Sequence, residues 1–321
     1  MPRRPLLARL TALVGLLLAA LGATTLAPAP ARAADAPLPV PYGFLPAAIL
    51  GGTPGANAPG TNDFTCKPNA AHPRPVVLVH GLLGNRSTNW PTFGPLLKNE
   101  GYCVFALTYG VQLTTIPGAD TFGGVGDMRV SARELATFVD KVLAATGASK
   151  VDLVGHSEGT VMPQYYLKFL GGAAKVQNYI GIASIYRGTA IAGTPQQLLG
   201  PLLPAGYANP LCVSCLQFSP TSDFYAELNS GNGILQPGVS YTSIVTKYDE
   251  LVIPYTSGIY PGVNNIVLQD VCPTDLSEHF QIVSSRTTAQ IVLNTLDPQR
   301  RKPVTCSVVL PFLGELVPGL L

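Results

Sequence analysis

Five consecutive residues, Gly155-His156-Ser157-Glu158-Gly159, form the pattern G-x-S-x-G between the mostly apolar run Val151 to Val154 and a helically spaced stretch from Val161 to Leu170. A strand, a sharp turn carrying the serine and then a helix is the setting in which this pattern lifts a hydroxyl to the carboxyl edge of a sheet. Glycines flank the serine because the turn is strained, and side chains at 155 and 159 would collide with the neighbouring strand and helix. The chemistry on offer is nucleophilic attack on an acyl carbon. In a chain with 33 glycines the five-letter string alone says little. Its strand-turn-helix setting is what points to a nucleophile.

A serine hydroxyl needs a base to take its proton, and the chain has four histidines. His72 stands in a Pro-flanked approach to the first strand and reads as solvated. His80 ends that strand, and His156 adjoins the serine in the turn, where neighbouring side chains diverge. His279 lies downstream in the loop after the last strand, where the order Ser, acid, His places the base. The acid must orient the imidazole from between 157 and 279. Asp249 follows the strand Ser240 to Thr246, and Asp270 is a rival nine residues before His279. Acid and base from successive strand ends let a carboxylate reach Nδ1 while Nε2 faces the serine, which favours Asp249. Glu250, next to it, is expected to point elsewhere. The third requirement is an oxyanion hole of backbone N–H groups. Glu158 supplies the amide after the nucleophile, and Leu82, in the turn His80-Gly81-Leu82-Leu83-Gly84, supplies the other.

The elements that must hold these residues alternate. Apolar strands are expected at Pro75 to Val79, Tyr102 to Thr108, Val151 to Val154, Tyr179 to Ile185, Ser240 to Thr246 and Asn265 to Gln269. Helices fall around Phe93 to Leu97, at Asp127 to Thr146 with Val130, Leu135, Phe138, Val139, Val142 and Leu143 on one face, and at Thr288 to Leu296. Continuous apolar strands separated by helices mean βαβ units and a mostly parallel sheet flanked by helices. Residues 34–65 read as an irregular arm, 66–300 as the catalytic domain and 301–321 as a tail tethered by Cys306. Within the domain, 187–237 is a lid-like insertion with one short helix at Asp223 to Leu228. Its Leu198, Leu199, Leu202, Leu203 and Leu211 would border an acyl pocket.

With 321 residues, 47% of them hydrophobic and 12% charged, the chain can bury a large core. Arg3, Arg4 and Arg9, the apolar run Leu10 to Leu21 and Ala31-Arg32-Ala33 have the layout of a secretory signal over residues 1–33. The Arg3-Arg4 pair leaves Sec and twin-arginine export both open. Loss of that leader removes four of 20 basic residues and leaves 16 against 18 acidic ones. A near-neutral exported chain gives no reason to expect nucleic acid as a partner. The tail, broken by Pro311, Glu315 and Pro318, is too short to span a bilayer. Six cysteines in an oxidising compartment suggest three bridges. Sequence order and strand ends favour Cys66 with Cys103, Cys212 with Cys215, and Cys272 with Cys306. The C-x-x-C at 212–215 lacks a redox βαβ context, and no spare histidine supports a metal there.

Four segments, VVLVHGLLGNRSTNW, VDLVGHSEGT, SIVTKYDELVIPYTSG and LSEHFQIVS, resemble the secreted bacterial lipases and esterases of the α/β-hydrolase superfamily. The likeness is strongest to the small class 2 triacylglycerol lipases of actinobacterial type, and it extends over residues 64–300. It implies an α/β-hydrolase fold, a triad of Ser157, Asp249 and His279, and an oxyanion hole from the amides of Leu82 and Glu158. One departure is Glu158, where many members carry Gln. The expected protein is a monomeric ester hydrolase acting on an ester or lipid, without cofactor or metal. An acyltransferase with the same site and a non-catalytic binding module on the same fold are the alternatives.

Overall fold

Val76–Val79 (β1) reads Val-Val-Leu-Val and is buried throughout, and a run with no polar position belongs inside a sheet covered on both faces. The computed structural model describes residues 36–45, 48, 53, 55–112, 121–192 and 212–315. The expected leader at 1–33 and the five leucines between 198 and 211 lie outside these residues. Around β1 stand Val104–Leu107 (β2), Val151–His156 (β3), Val176–Ile182 (β4), Ser240–Val245 (β5) and Asn264–Val267 (β6). They form a six-stranded sheet in the order β2-β1-β3-β4-β5-β6, and each neighbouring pair is parallel.

Alternate residues of the strands feed two cores. Val77, Val79, Phe105, Leu153 and Tyr179 pack with Met128–Thr146 (α2), Met162–Phe169 (α3) and Asp223–Asn229 (α4). Val76, Leu78, Val104, Val154 and Ile180 face the other way, onto Phe93–Asn99 (α1) and Arg286–Leu296 (α5). The α2 boundaries follow local chemistry. The Asp127 side chain accepts from Arg129 N, and Gly147 closes the helix in the left-handed region. Its buried stripe runs through Met128, Ala132, Leu135, Val139, Val142 and Thr146. Val130 was expected on that face but is exposed, because it lies off the i, i+3/i+4 line.

Several boundaries differ from the sequence reading. The strand expected at Tyr179 to Ile185 is Val176–Ile182, since Ala183 takes φ 51° and breaks the extended run. The last strand stops at Val267, where a single helical turn, Leu268–Val271, begins. The final helix starts at Arg286, two residues early, because the Ser285 side chain accepts from Thr288 N and caps it. The arm is not loose cover. Asn62 donates its backbone N–H to Val104 O, and its side chain accepts from Ala106 N and donates to Ala106 O. That occupies the open edge of β2, a place where unpaired strand groups invite aggregation.

All three bridges form as expected: Cys66–Cys103, Cys212–Cys215 and Cys272–Cys306. The tail packs on the domain through the hairpin Val309–Leu310 (β7) and Gly314–Glu315 (β8), with Leu276 N donating to Val309 O. Among the described residues no helix is long and apolar enough to cross a membrane.

Candidate active site

The sheet reverses its direction of growth at β1, whose neighbours are β2 and β3, and the crevice beyond the carboxyl ends at such a point is where open parallel sheets bind ligands. Ser157 stands there, directly after β3, with φ 53°. A non-glycine residue held in the left-handed region stores strain that the surroundings must impose. The flanking glycines show how. A methyl on Gly155 would sit 1.8 Å from the Gly159 carbonyl oxygen, and one on Gly159 would sit 2.0 Å from that of Val79. The turn closes only without those side chains.

His279 arrives from the loop after β6 and the Leu268–Val271 turn. Its Nε2 accepts from the Ser157 hydroxyl at 2.9 Å, while Nδ1 lies 2.9 and 3.0 Å from the two Asp249 oxygens. Asp249 leaves β5 and accepts from the backbone N–H groups of Leu251 and Val252 at 3.0 and 2.7 Å. All three side chains are nearly withdrawn from solvent, with Ser157, His279 and Asp249 at 7%, 3% and 9% exposure. Burial pulls the His279 pKa down, but the charge and hydrogen bond of Asp249, joined by Glu250 and Glu278, outweigh it and hold the ring above its ordinary value. Burial pushes Asp249 up, yet His279 and the two amides leave it below the usual carboxylate range. In the neutral ring the proton therefore sits on Nδ1 against the Asp249 carboxylate, leaving the Nε2 lone pair free to receive the serine proton, and the imidazolium so formed is stabilised by that carboxylate.

The backbone amide of Glu158 follows Ser157 directly, and that of Leu82 stands in the turn His80-Gly81-Leu82-Leu83-Gly84 after β1. That turn is tied by two backbone bonds: Leu83 N donates to Gly123 O, and Gly84 N to Gly81 O. It also lies close to the elbow, for a methyl on Gly81 would be 3.0 Å from Ser157 Cβ. Such amides can take the charge of a tetrahedral intermediate.

The remaining candidates separate cleanly. Asp270 binds the exposed Lys247 at 2.7 Å. His80 donates Nδ1–H to Gly81 O and accepts from Tyr109 N, and burial holds it neutral with a pKa of about 4. Three sequence readings need correction. His72 is buried, its ring tilted against that of Tyr102 with centroids 3.8 Å apart, not solvated. His156 does not diverge from the site: its Nε2 donates to His279 O at 2.9 Å. Glu250 does not point away, since it accepts from His279 N at 3.1 Å. Thr246 adds a further tie by donating to Ser277 O. His156, Glu250 and Thr246 thus hold the histidine loop in place. Only the adjacency of Glu250 to Asp249 could have hinted at this, because His156 and His279 stand 123 residues apart. Among the described residues no cluster of His, Cys, Asp and Glu could hold a metal ion.

Comparison with known proteins agrees with this architecture. The sequence model of the class 2 lipases matches residues 73–299. A triacylglycerol lipase of Pseudarthrobacter phenanthrenivorans is 33% identical over 135 residues, 40% of this chain and 39% of that protein. A triacylglycerol lipase of Burkholderia plantarii is likewise 33% identical over 135 residues, 40% of this chain and 34% of that one. The chain therefore spans less than two fifths of the length of these curated relatives. In fold it is similar to Aspergillus fumigatus lipase B, with a TM-score of 0.57 and 20% identity over 82% of this chain and 68% of that one. It is also similar to mature Bacillus licheniformis lipase BlEst2, with a TM-score of 0.54 and 17% identity over 76% of this chain and all of that one.

Proposed function

The chain belongs to the class 2 lipase family and has the α/β-hydrolase fold, and from that premise we propose that it is a secreted serine hydrolase of carboxylic esters. The observation that carries the reading is the unbroken hydrogen-bonded line from Ser157 through His279 to Asp249 at the mouth of the sheet. In the proposed cycle His279 Nε2 takes the Ser157 proton as Oγ adds to the ester carbonyl. The amides of Leu82 and Glu158 stabilise the oxyanion. The imidazolium, steadied by Asp249, then protonates the departing alcohol and leaves an acyl-Ser157 ester. Water, deprotonated by the same nitrogen, releases the acid. The cycle needs no cofactor. The relatives named as triacylglycerol lipases suggest acylglycerols as substrates. Three disulfides and the basic-then-apolar sequence before Ala33 support export, with residues 66–300 as the catalytic domain behind an arm and ahead of a tethered tail.

A p-nitrophenyl ester assay with and without a serine-directed phosphonate tests this. Hydrolysis that the phosphonate abolishes, with the label mapped by mass spectrometry to Ser157, is the expected result. Ser157→Ala should lower kcat by roughly 10⁴-fold or more. A label on any other serine would sink the assignment.

A further inference from the structure

Next to Ser157 in the chain stands a charge-bearing side chain for which the proposed cycle has no use. Glu158 is fully buried, and neither of its carboxyl oxygens has a hydrogen-bond partner among the described residues. The Tyr109 hydroxyl faces it but donates to His80 O at 2.7 Å. The carboxyl is wedged beside the turn that carries Leu82. A methyl on Gly124 would lie 2.9 Å from Glu158 Oε2 and 3.1 Å from Leu82 Cα, so the acid and the Leu82 backbone share a gap that glycine keeps open.

The groups around it offer little compensation. Tyr109 faces it from the end of β2 and Tyr225 from α4. His80, stacked on the Tyr109 ring at 4.2 Å, is neutral, and Glu134 of α2 faces Tyr109 as well. No cation faces Glu158 among the described residues. Burial pushes its pKa well above the usual carboxylate range, with Tyr109 drawing it back only in part. A buried carboxylate without a partner is costly enough that such a group takes up its proton instead.

We propose that Glu158 is a positioning residue that works as a neutral acid, filling the space behind the Leu82 turn, and that loss of its proton places an unpaired negative charge behind both oxyanion donors and shuts the site. In a dry pocket that charge opposes the one developing on the tetrahedral oxygen. The inference rests on the proposed oxyanion hole. It gives this chain an alkaline limit set by a carboxyl group.

The test uses the mature protein and Glu158→Gln, which keeps the shape and removes the ionisation. Sign and window follow from linkage. An unfolded Glu ionises near pH ~4.3, so the stability held by the neutral folded form is complete below that value and is lost as pH rises toward the folded pKa. The folding equilibrium of Glu158→Gln relative to wild type should therefore rise by about tenfold per pH unit above pH ~4.3 until the folded carboxyl ionises. Urea unfolding between pH 5 and 9 reads this, and a gap independent of pH would overturn the neutral state. In the second arm, kcat/KM for a p-nitrophenyl ester is followed from pH 6 to 10. The wild type should show an alkaline decline that Glu158→Gln lacks. Hydrolysis at neutral pH with matching alkaline limbs in both proteins would sink the switch alone, whereas no hydrolysis by wild type at any pH would sink the proposed function with it.

Discussion

At the scale of residues, the site is a balance between desolvation and one well-placed charge. Burial works against a charged His279 and a charged Asp249 alike, but the contact at 2.9 Å reverses both tendencies. A consequence can be measured. The proposed base must be neutral to accept the serine proton, so activity should be lost as pH falls through the His279 pKa. That pKa is raised, which puts the acid limb of kcat above the ordinary imidazole value of about 6.5. A pH–rate profile with its acid limb well below 6 would contradict the geometry. The acid can be separated from its rival in the same assay. Asp249→Asn should cost roughly 10⁴-fold in kcat by favouring the wrong imidazole tautomer. Asp270→Asn, which loses a contact to the exposed Lys247, should cost much less. The opposite ranking in folded variants would hand the role to Asp270.

At the scale of elements, the strand β3, the turn and the helix α3 act as one part. The left-handed Ser157 is tolerable because β1 and β3 are paired along their length, and Val79, the last residue of β1, lies opposite Gly155. This leaves no room at Gly159, whose added methyl would meet backbone, an obstacle that cannot rotate away. Gly159→Ala should destabilise the fold by roughly 3 kcal/mol or more, at the upper end for single substitutions. Chemical denaturation would show it. A Gly159→Ala protein as stable as the parent would mean that the elbow is more yielding than its geometry implies. The histidine loop is held differently, by ties from Thr246, Glu250 and His156 instead of close packing.

At the scale of the molecule, the sheet supplies rigidity and the bridges fasten what the sheet does not reach. Cys66–Cys103 joins the arm to the residue just before β2 across a separation of 37 residues, and Cys272–Cys306 fastens the tail to the loop leading to His279. Constraining an unfolded loop of that length is worth about 3 to 4 kcal/mol in the chain-entropy account. Replacing both Cys66 and Cys103 by Ser should lower stability by about that amount while the phosphonate still labels Ser157, since the bridge lies away from the triad. Urea titration and labelling of the double variant check both halves. Unchanged stability would show that the arm is held by Asn62 and its neighbours alone.

Much of this was legible in the chain because the signals are local. Val-Val-Leu-Val declares a doubly covered strand, Asp127 and Gly147 bracket a helix, and Gly-His-Ser-Glu-Gly needs only its own strand and helix to define a turn. Even the proposed choice of Asp249 over Asp270 rests on topology, since it depends on which strand end carries each residue. The relations that cross the sheet were not legible. That Glu250 and His156 grip the backbone of His279, that His72 is buried on Tyr102, and that Asn62 closes the edge of β2 all depend on where distant segments meet. Adjacent residues in sequence point in directions that only the packed backbone fixes. Burial is the other quantity decided in three dimensions: the sequence shows a glutamate after the serine, and the fold alone buries its carboxyl group with no cation facing it among the described residues.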